Sequence, residues 1–163
     1  KHQEGIINPQ LGLVNLHELA GEVLDLMREQ AINKNVVLKN LIPASEKFNT
    51  DRNILTIVLR NLLTNALNHT ENGSISVSAQ PGTDHWQFTI TDTGIGMSAE
   101  DIATLHAIRD AHTRSHERPS SETDQGLGYY IVSDLLHAIN GTFEIESEPG
   151  KGTRVQVRGA HIP

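Results

Sequence analysis

The stretch ITDTGIGM, Ile90 to Met97, decides how this chain folds. It reads as the last steps of a strand running out into a glycine turn. Just upstream, Trp86, Phe88 and Ile90 alternate with Gln87, Thr89 and Thr91, the period-two pattern of a half-buried strand. Asp92 is in phase with the tryptophan, the phenylalanine and the isoleucine. It is therefore expected to point to the apolar side, where a carboxylate is costly unless something satisfies it.

Outward from there, Ile75, Val77 and Ala79 alternate with serines and predict a partner strand, joined to the first by a hairpin turn at PGTD, residues 81 to 84. On the other side, Ser98 and Asp101 suit the cap of a short helix through about Ile108. From there to Gln125 the chain is polar and loses periodicity, which predicts a mobile loop over about 107–125. A helix is expected after Gly126, with Leu127, Ile131, Leu135 and Ile139 inside and Asn140-Gly141 as its stop. A closing hairpin follows, with Phe143 and Ile145 on one strand, EPGKG as the turn, and Thr153, Val155 and Val157 on the other.

Toward the start, residues 1 to 14 read as a linker. Asn15 and Glu18 have capping-box spacing and open a helix expected to run to about Asn33. VVLKNLI, residues 36 to 42, is strand-like and closed by Pro43. Thr50 or Asp51 starts another helix, which carries Ile54, Val58, Leu62, Leu63, Ala66 and Leu67. The order predicts an α/β (α+β) two-layer sandwich: a mixed, mostly antiparallel sheet with three main helices on one face. The domain is expected to occupy residues 15–163.

The bulk numbers agree with one domain. The chain has 163 residues, 37% of them hydrophobic and 20% charged, which are globular values. A net charge of −7 gives no general attraction for nucleic acid, and no local basic face stands out. The absence of cysteine removes disulfide frameworks, Cys-based zinc sites and thiol nucleophiles. No apolar run approaches the roughly 20 residues that span a bilayer. Opening on Lys1 in polar sequence, the chain is expected to be a piece of a longer protein.

Three features carry chemistry. Asn61, Asn65 and Asn68 lie at i, i+4 and i+7 on one helical face, beside Thr64 and His69. Such a stripe is either solvated surface or a row of hard amide ligands suited to Mg²⁺ and phosphate. Asp92 either caps its own turn or accepts a hydrogen bond from a ligand, for which the exocyclic amine of adenine is the right shape and polarity. GLGYYIV, Gly126 to Val132, puts two glycines at a helix start, where backbone amides and the dipole favour anions, or else is an ordinary loop-to-helix junction. Tyr129 and Tyr130 read as helix packing. His112 and His116, with His106 nearby, have a spacing compatible with zinc, but no Glu stands between them and no metal is assigned there.

NLLTNALNHT, then DTGIGM, a polar stretch, QGLGYYIV and GKGT resemble, in this order, the catalytic ATP-binding domain of sensor histidine kinases. That family shares the Bergerat fold with gyrase, MutL and related ATPases. The resemblance runs from about Asn15 to the end. It implies that ATP and Mg²⁺ are the cofactors, Asn65 the Mg²⁺ ligand with Asn61 beside it, and Asp92 the adenine-binding aspartate. Gly94, Ile95, Gly96 and Met97 would shape the base pocket. Gln125, Gly126, Leu127 and Gly128 would form the phosphate-side hinge of a lid, and Thr153 would back the adenine contact through water.

The departures from the family pattern matter. The family's Lys is Asn68 here, and an aromatic is His69, which can stack on or bond to the nucleotide. Leu105 and Ile108 stand where phenylalanines are usual, and Arg109 or Arg114 is a candidate for the missing positive charge. The ATPase branches carry a Glu as base where this chain has Asn61, so Asn61 and Gln125 are the candidate catalytic residues of a phosphoryl donor, not of an efficient hydrolase. The resemblance further implies a phosphoacceptor His on upstream dimerising helices, a response-regulator receiver as partner, and a homodimeric, possibly membrane-anchored protein whose catalytic part is cytoplasmic. The alternatives are an ATP-sensing or scaffold module of the same fold, or a superfamily ATPase or serine kinase.

Overall fold

The computed structural model describes residues 8–80, 84–111 and 124–160. Five strands form one sheet in the order β2 (Val36–Asn40), β4 (Gly73–Gln80), β5 (His85–Asp92), β7 (Thr153–Ala160), β6 (Gly141–Ser147). Only the β2–β4 pair is parallel; the other three pairs are antiparallel. Helices α1 (Leu16–Leu26), α3 (Arg52–Asn68) and α5 (Asp124–Ala138) pack together above one face, with α2 (Arg28–Asn33) beside β2 and α4 (Ala99–Ala111) beside β6. The two-layer sandwich expected from the alternations is what forms.

The core lies between sheet and helices. Trp86, Phe88 and Ile90 of β5 are all at or below 1% exposed, and Leu55, Leu59 and Leu63 of α3 are fully covered. Trp86 stacks between Phe48 and Phe88 at centroid distances of 5.2 and 6.3 Å. The caps behave as their residue types dictate. Asn15 Oδ1 accepts the N–H of Glu18 at 3.0 Å, and Asp51 Oδ1 accepts that of Ile54 at 3.0 Å.

Four sequence expectations need correction. Leu11–Asn15, assigned largely to the linker, is a strand (β1) paired antiparallel with a second unexpected strand, β3 (Lys47–Asp51). The helix expected from Asn15 to Asn33 is broken at Met27 into α1 and α2. The helix after Ser98 runs on to Ala111, and the next begins at Asp124, so both ends of the expected 107–125 loop are helical. The rest of that loop, and the turn residues Pro81–Thr83, lie outside the described residues. Finally, of the expected inside series Leu127, Ile131, Leu135 and Ile139, only Ile139, just past the end of α5, is buried; the buried stripe of the helix itself is Tyr129, Val132 and Leu136.

Candidate functional site

β5 and its turn deliver Asp92 to a cavity between sheet and helices. Leu62, Asn65, Ala66 and His69 at the C-terminal half of α3 form one wall; Tyr129 of α5 and Thr153 and Val155 of β7 form another. Ile95, Gly96, Met97 and Asp101 surround the remainder. Ile95 is 64% exposed there.

Asp92 is 7% exposed. Its Oδ1 accepts the N–H of Gly94 at 2.8 Å and that of Thr153 at 3.2 Å. Burial pushes its pKa above the ordinary carboxylate value, and those two N–H groups, His69 and Thr70 offset part of the rise. Thr70 has one hydroxyl proton and donates it to the Ala66 carbonyl at 2.7 Å. Both backbone donors sit on one oxygen, so Oδ2 keeps acceptor capacity. The carboxylate caps its own turn and is presented to the cavity at the same time.

The glycines of DTGIG pack on protein backbone. A Cβ on Gly94 would lie 2.2 Å from the carbonyl oxygen of His69, the C-cap of α3. Gly96 has φ +75°, and a Cβ there would lie 1.9 Å from the Glu148 carbonyl oxygen in the β6–β7 turn. The Ile95 N–H donates to the His69 carbonyl at 3.0 Å. These close approaches lock the turn between α3 and the closing hairpin, and so hold Asp92 in place.

Thr153 stands opposite Asp92 in the β5–β7 register, and its main contact with the aspartate is the backbone N–H. Its hydroxyl lies 2.9 Å from Ser147 Oγ. Ser147 already donates its proton to the Gly152 carbonyl at 2.8 Å and accepts the Met97 N–H at 2.8 Å. Thr153 must then donate to Ser147, and only its lone pairs remain for the cavity.

Asn61 and Asn65 of the asparagine stripe are half-buried, whereas Thr64 and Asn68 are exposed. The four residues line a second, open cavity between α3 and α5, with Leu127 and Gly128 opposite. Asn65 borders both cavities, and its Nδ2 is buried without a partner among the described residues. Asn61 donates to the Ile57 carbonyl at 2.9 Å. A Cβ on Gly128 would come within 3.5 Å of Asn65 Nδ2 and 3.6 Å of Asn61 Oδ1, so the GLG segment lies directly over the two amides. That segment is inside the first turns of α5, with Gln125 one residue before it and Gly126 buried. Among the described residues no carboxylate lines the groove.

Two residues of this site escaped sequence reading. Arg60 lines the groove and makes no ion pair among the described residues; its place one step before Asn61 was the available signal. Tyr129, read as packing, is a wall of the Asp92 cavity. Arg109, one of two candidates for the missing cation, is instead bonded to the Phe143 carbonyl and Glu144 at 2.7 Å and to Asp110 at 2.8 Å, which clamps α4 to β6. Arg114, the other, lies outside the described residues, as do His112 and His116. His106 Nε2 accepts the Ile145 N–H at 3.0 Å. Among the described residues no group of three His, Asp or Glu is placed to hold a metal.

A buried carboxylate at one cavity is thus joined through Asn65 to an amide-lined groove under a glycine-bearing helix start. Residues 50–160 match the family of histidine kinase-, DNA gyrase B-, and HSP90-like ATPases, and the chain belongs to that family. The "Non-motile and phage-resistance protein" of Caulobacter vibrioides is 30% identical over 160 residues, covering 95% of this chain and 19% of its own length. Histidine protein kinase DivJ of the same organism is 30% identical over 151 residues, covering 91% and 25%. The chain thus spans a quarter or less of these curated relatives. The catalytic domain of the histidine kinase ThkA, in a nucleotide-free form, superposes with a TM-score of 0.78 at 22% identity, over 94% of this chain and 99% of that one. Full-length ShkA in complex with AMPPNP gives 0.77 at 25% identity, over 96% and 32%. The fold is that of a histidine kinase catalytic domain.

Proposed function

We propose that this chain is the ATP-binding catalytic domain of a two-component sensor histidine kinase and donates the γ-phosphoryl group of Mg·ATP to a histidine on a separate segment. The observation that carries the reading is the lining of the groove. Among the described residues it offers the amides of Asn61, Asn65 and Asn68 and no carboxylate, and none of those amides can take a proton from an attacking water. Positioning and charge neutralisation are what such a site supplies, and phosphoryl transfer needs little more.

In this reading Asp92 accepts from the adenine amine, and Thr153 and His69 complete the base pocket. Asn65 holds Mg²⁺, with Asn61 beside it. The amide oxygen of Asn65 is the atom a hard cation would take, and its unpartnered buried Nδ2 is a donor suited to a phosphate oxygen. A bound metal would neutralise phosphate charge. Gln125, Gly126, Leu127 and Gly128 bear on the phosphates from α5. Among the described residues no helix is long and apolar enough to cross a membrane. A cytoplasmic position, an upstream dimerising hairpin bearing the acceptor and a receiver-domain partner follow from the same reading, supported by relatives named histidine kinases.

The test supplies the chain with the histidine-bearing hairpin of its parent protein and γ-labelled ATP. Acid-labile label on the hairpin, with slow hydrolysis in its absence, is the expected result. ATP binding without transfer would favour a sensing module, acid-stable label a serine kinase, and fast hydrolysis an ATPase.

A further inference from the structure

Tyr129 is 2% exposed, and its ring packs against Phe143 at a centroid distance of 5.2 Å. Apolar packing accounts for the ring but not for the hydroxyl. A buried phenol O–H normally finds a partner. Among the described residues this one has no hydrogen bond. Nor is it one of the polar atoms sealed away from both solvent and partners, as Ser133 Oγ is one turn along the same helix. The residue lines the cavity that holds Asp92. Burial, and then the Asp92 charge, raise its pKa far above the ordinary phenol value, so the proton stays on the oxygen and the group remains a donor.

The polarity at this end of the cavity is therefore specified twice. Asp92 is an acceptor, and beside it stands a neutral donor with no partner among the described residues. On the Watson–Crick edge of adenine a donor amine is followed by an acceptor ring nitrogen, N1. Guanine shows the reverse order there, a carbonyl and then an N–H.

Resting on the adenine-site reading above, we propose that Tyr129 is a specificity-determining residue of the nucleotide pocket, whose hydroxyl serves the N1 acceptor of the base while Asp92 holds the amine. The contact is made directly or through one water.

The test is calorimetric binding to the 163-residue chain of ATP and of 1-deaza-ATP, which has C–H in place of N1, with wild type and Tyr129→Phe. Losing a neutral hydrogen bond of this kind costs roughly three- to tenfold in affinity. Wild type should bind the deaza analogue weaker by about that factor. Tyr129→Phe should bind ATP weaker by a similar factor and should not distinguish the two nucleotides. Equal affinity of wild type for both nucleotides overturns the proposal and needs no variant. So does a Tyr129→Phe protein that keeps the wild-type preference for ATP, in which case the tyrosine is only a packed wall. If wild type binds no ATP, or Asp92→Asn binds it unchanged, the adenine-site reading itself has failed, a result distinct from either of these.

Discussion

Asp92→Asn separates a ligand-facing carboxylate from a merely structural one, because the two roles move stability and affinity in different directions. The asparagine can turn its oxygen to the Gly94 and Thr153 N–H groups that Asp92 Oδ1 now accepts, so the turn keeps both bonds. What changes is the other position, where an acceptor becomes an NH₂ facing the adenine amine. A hydrogen bond to a charged group is worth about 1.5–3 kcal/mol net, which corresponds to a loss of roughly 10- to 150-fold in ATP affinity. Meanwhile the variant removes a charge whose burial is the largest influence on its pKa. Unliganded thermal stability should therefore hold or rise. The pH dependence has a definite sign. With the folded pKa raised, this group's stabilising contribution is complete below the ordinary carboxylate value. It is lost as pH climbs through the raised value, and Asp92→Asn should flatten that slope. Calorimetric titration with ATP and thermal melts across pH 3–7 measure both. Unchanged ATP affinity, or affinity and stability falling together, would refute the assignment of Asp92 to the ligand.

Other outcomes follow from the same geometry. Asn65→Ala should remove most of the gain in ATP affinity that added Mg²⁺ provides, read as the ratio of affinities with and without the metal. Arg60→Gln should weaken ATP several-fold and reduce the salt sensitivity of binding, yet leave adenosine affinity alone, because Arg60 lines the groove and not the base cavity. Gly96→Ala should destabilise the fold by about 1–3 kcal/mol in denaturant unfolding, since a Cβ at φ +75° meets the Glu148 carbonyl. Burial, then Arg109, lower the pKa of His106, whose Nε2 must stay unprotonated to accept the Ile145 N–H. The α4–β6 contact should therefore be firm above the ordinary histidine value and loosen as pH falls through the lowered one, seen as faster exchange of the Ile145 amide.

The sequence by itself determined the sheet that bears Asp92, the aspartate's inward direction, the asparagine helix and the order of the boxes. These are local properties: a period of two in β5 and of 3.6 in α3 assigns each side chain a face whatever surrounds the element. Tertiary structure alone decided what depends on partners distant in the chain. Leu11–Asn15 and Lys47–Asp51 are short, and neither reads as a strand without the other. The face α5 buries was set by its packing on α3 and β6, since apolar residues fall on both of its sides, and a one-position difference in phase turned Tyr129 from packing into a pocket wall. The glycines of the turn proved necessary for backbone packed against backbone 25 and 52 positions away, at His69 and Glu148, which no local pattern encodes. Two readings that competed in the sequence, Asp92 as turn cap and Asp92 as ligand group, are compatible in the folded chain, because both backbone N–H groups bond one carboxylate oxygen at the edge of the cavity and the turn-cap role does not use the other.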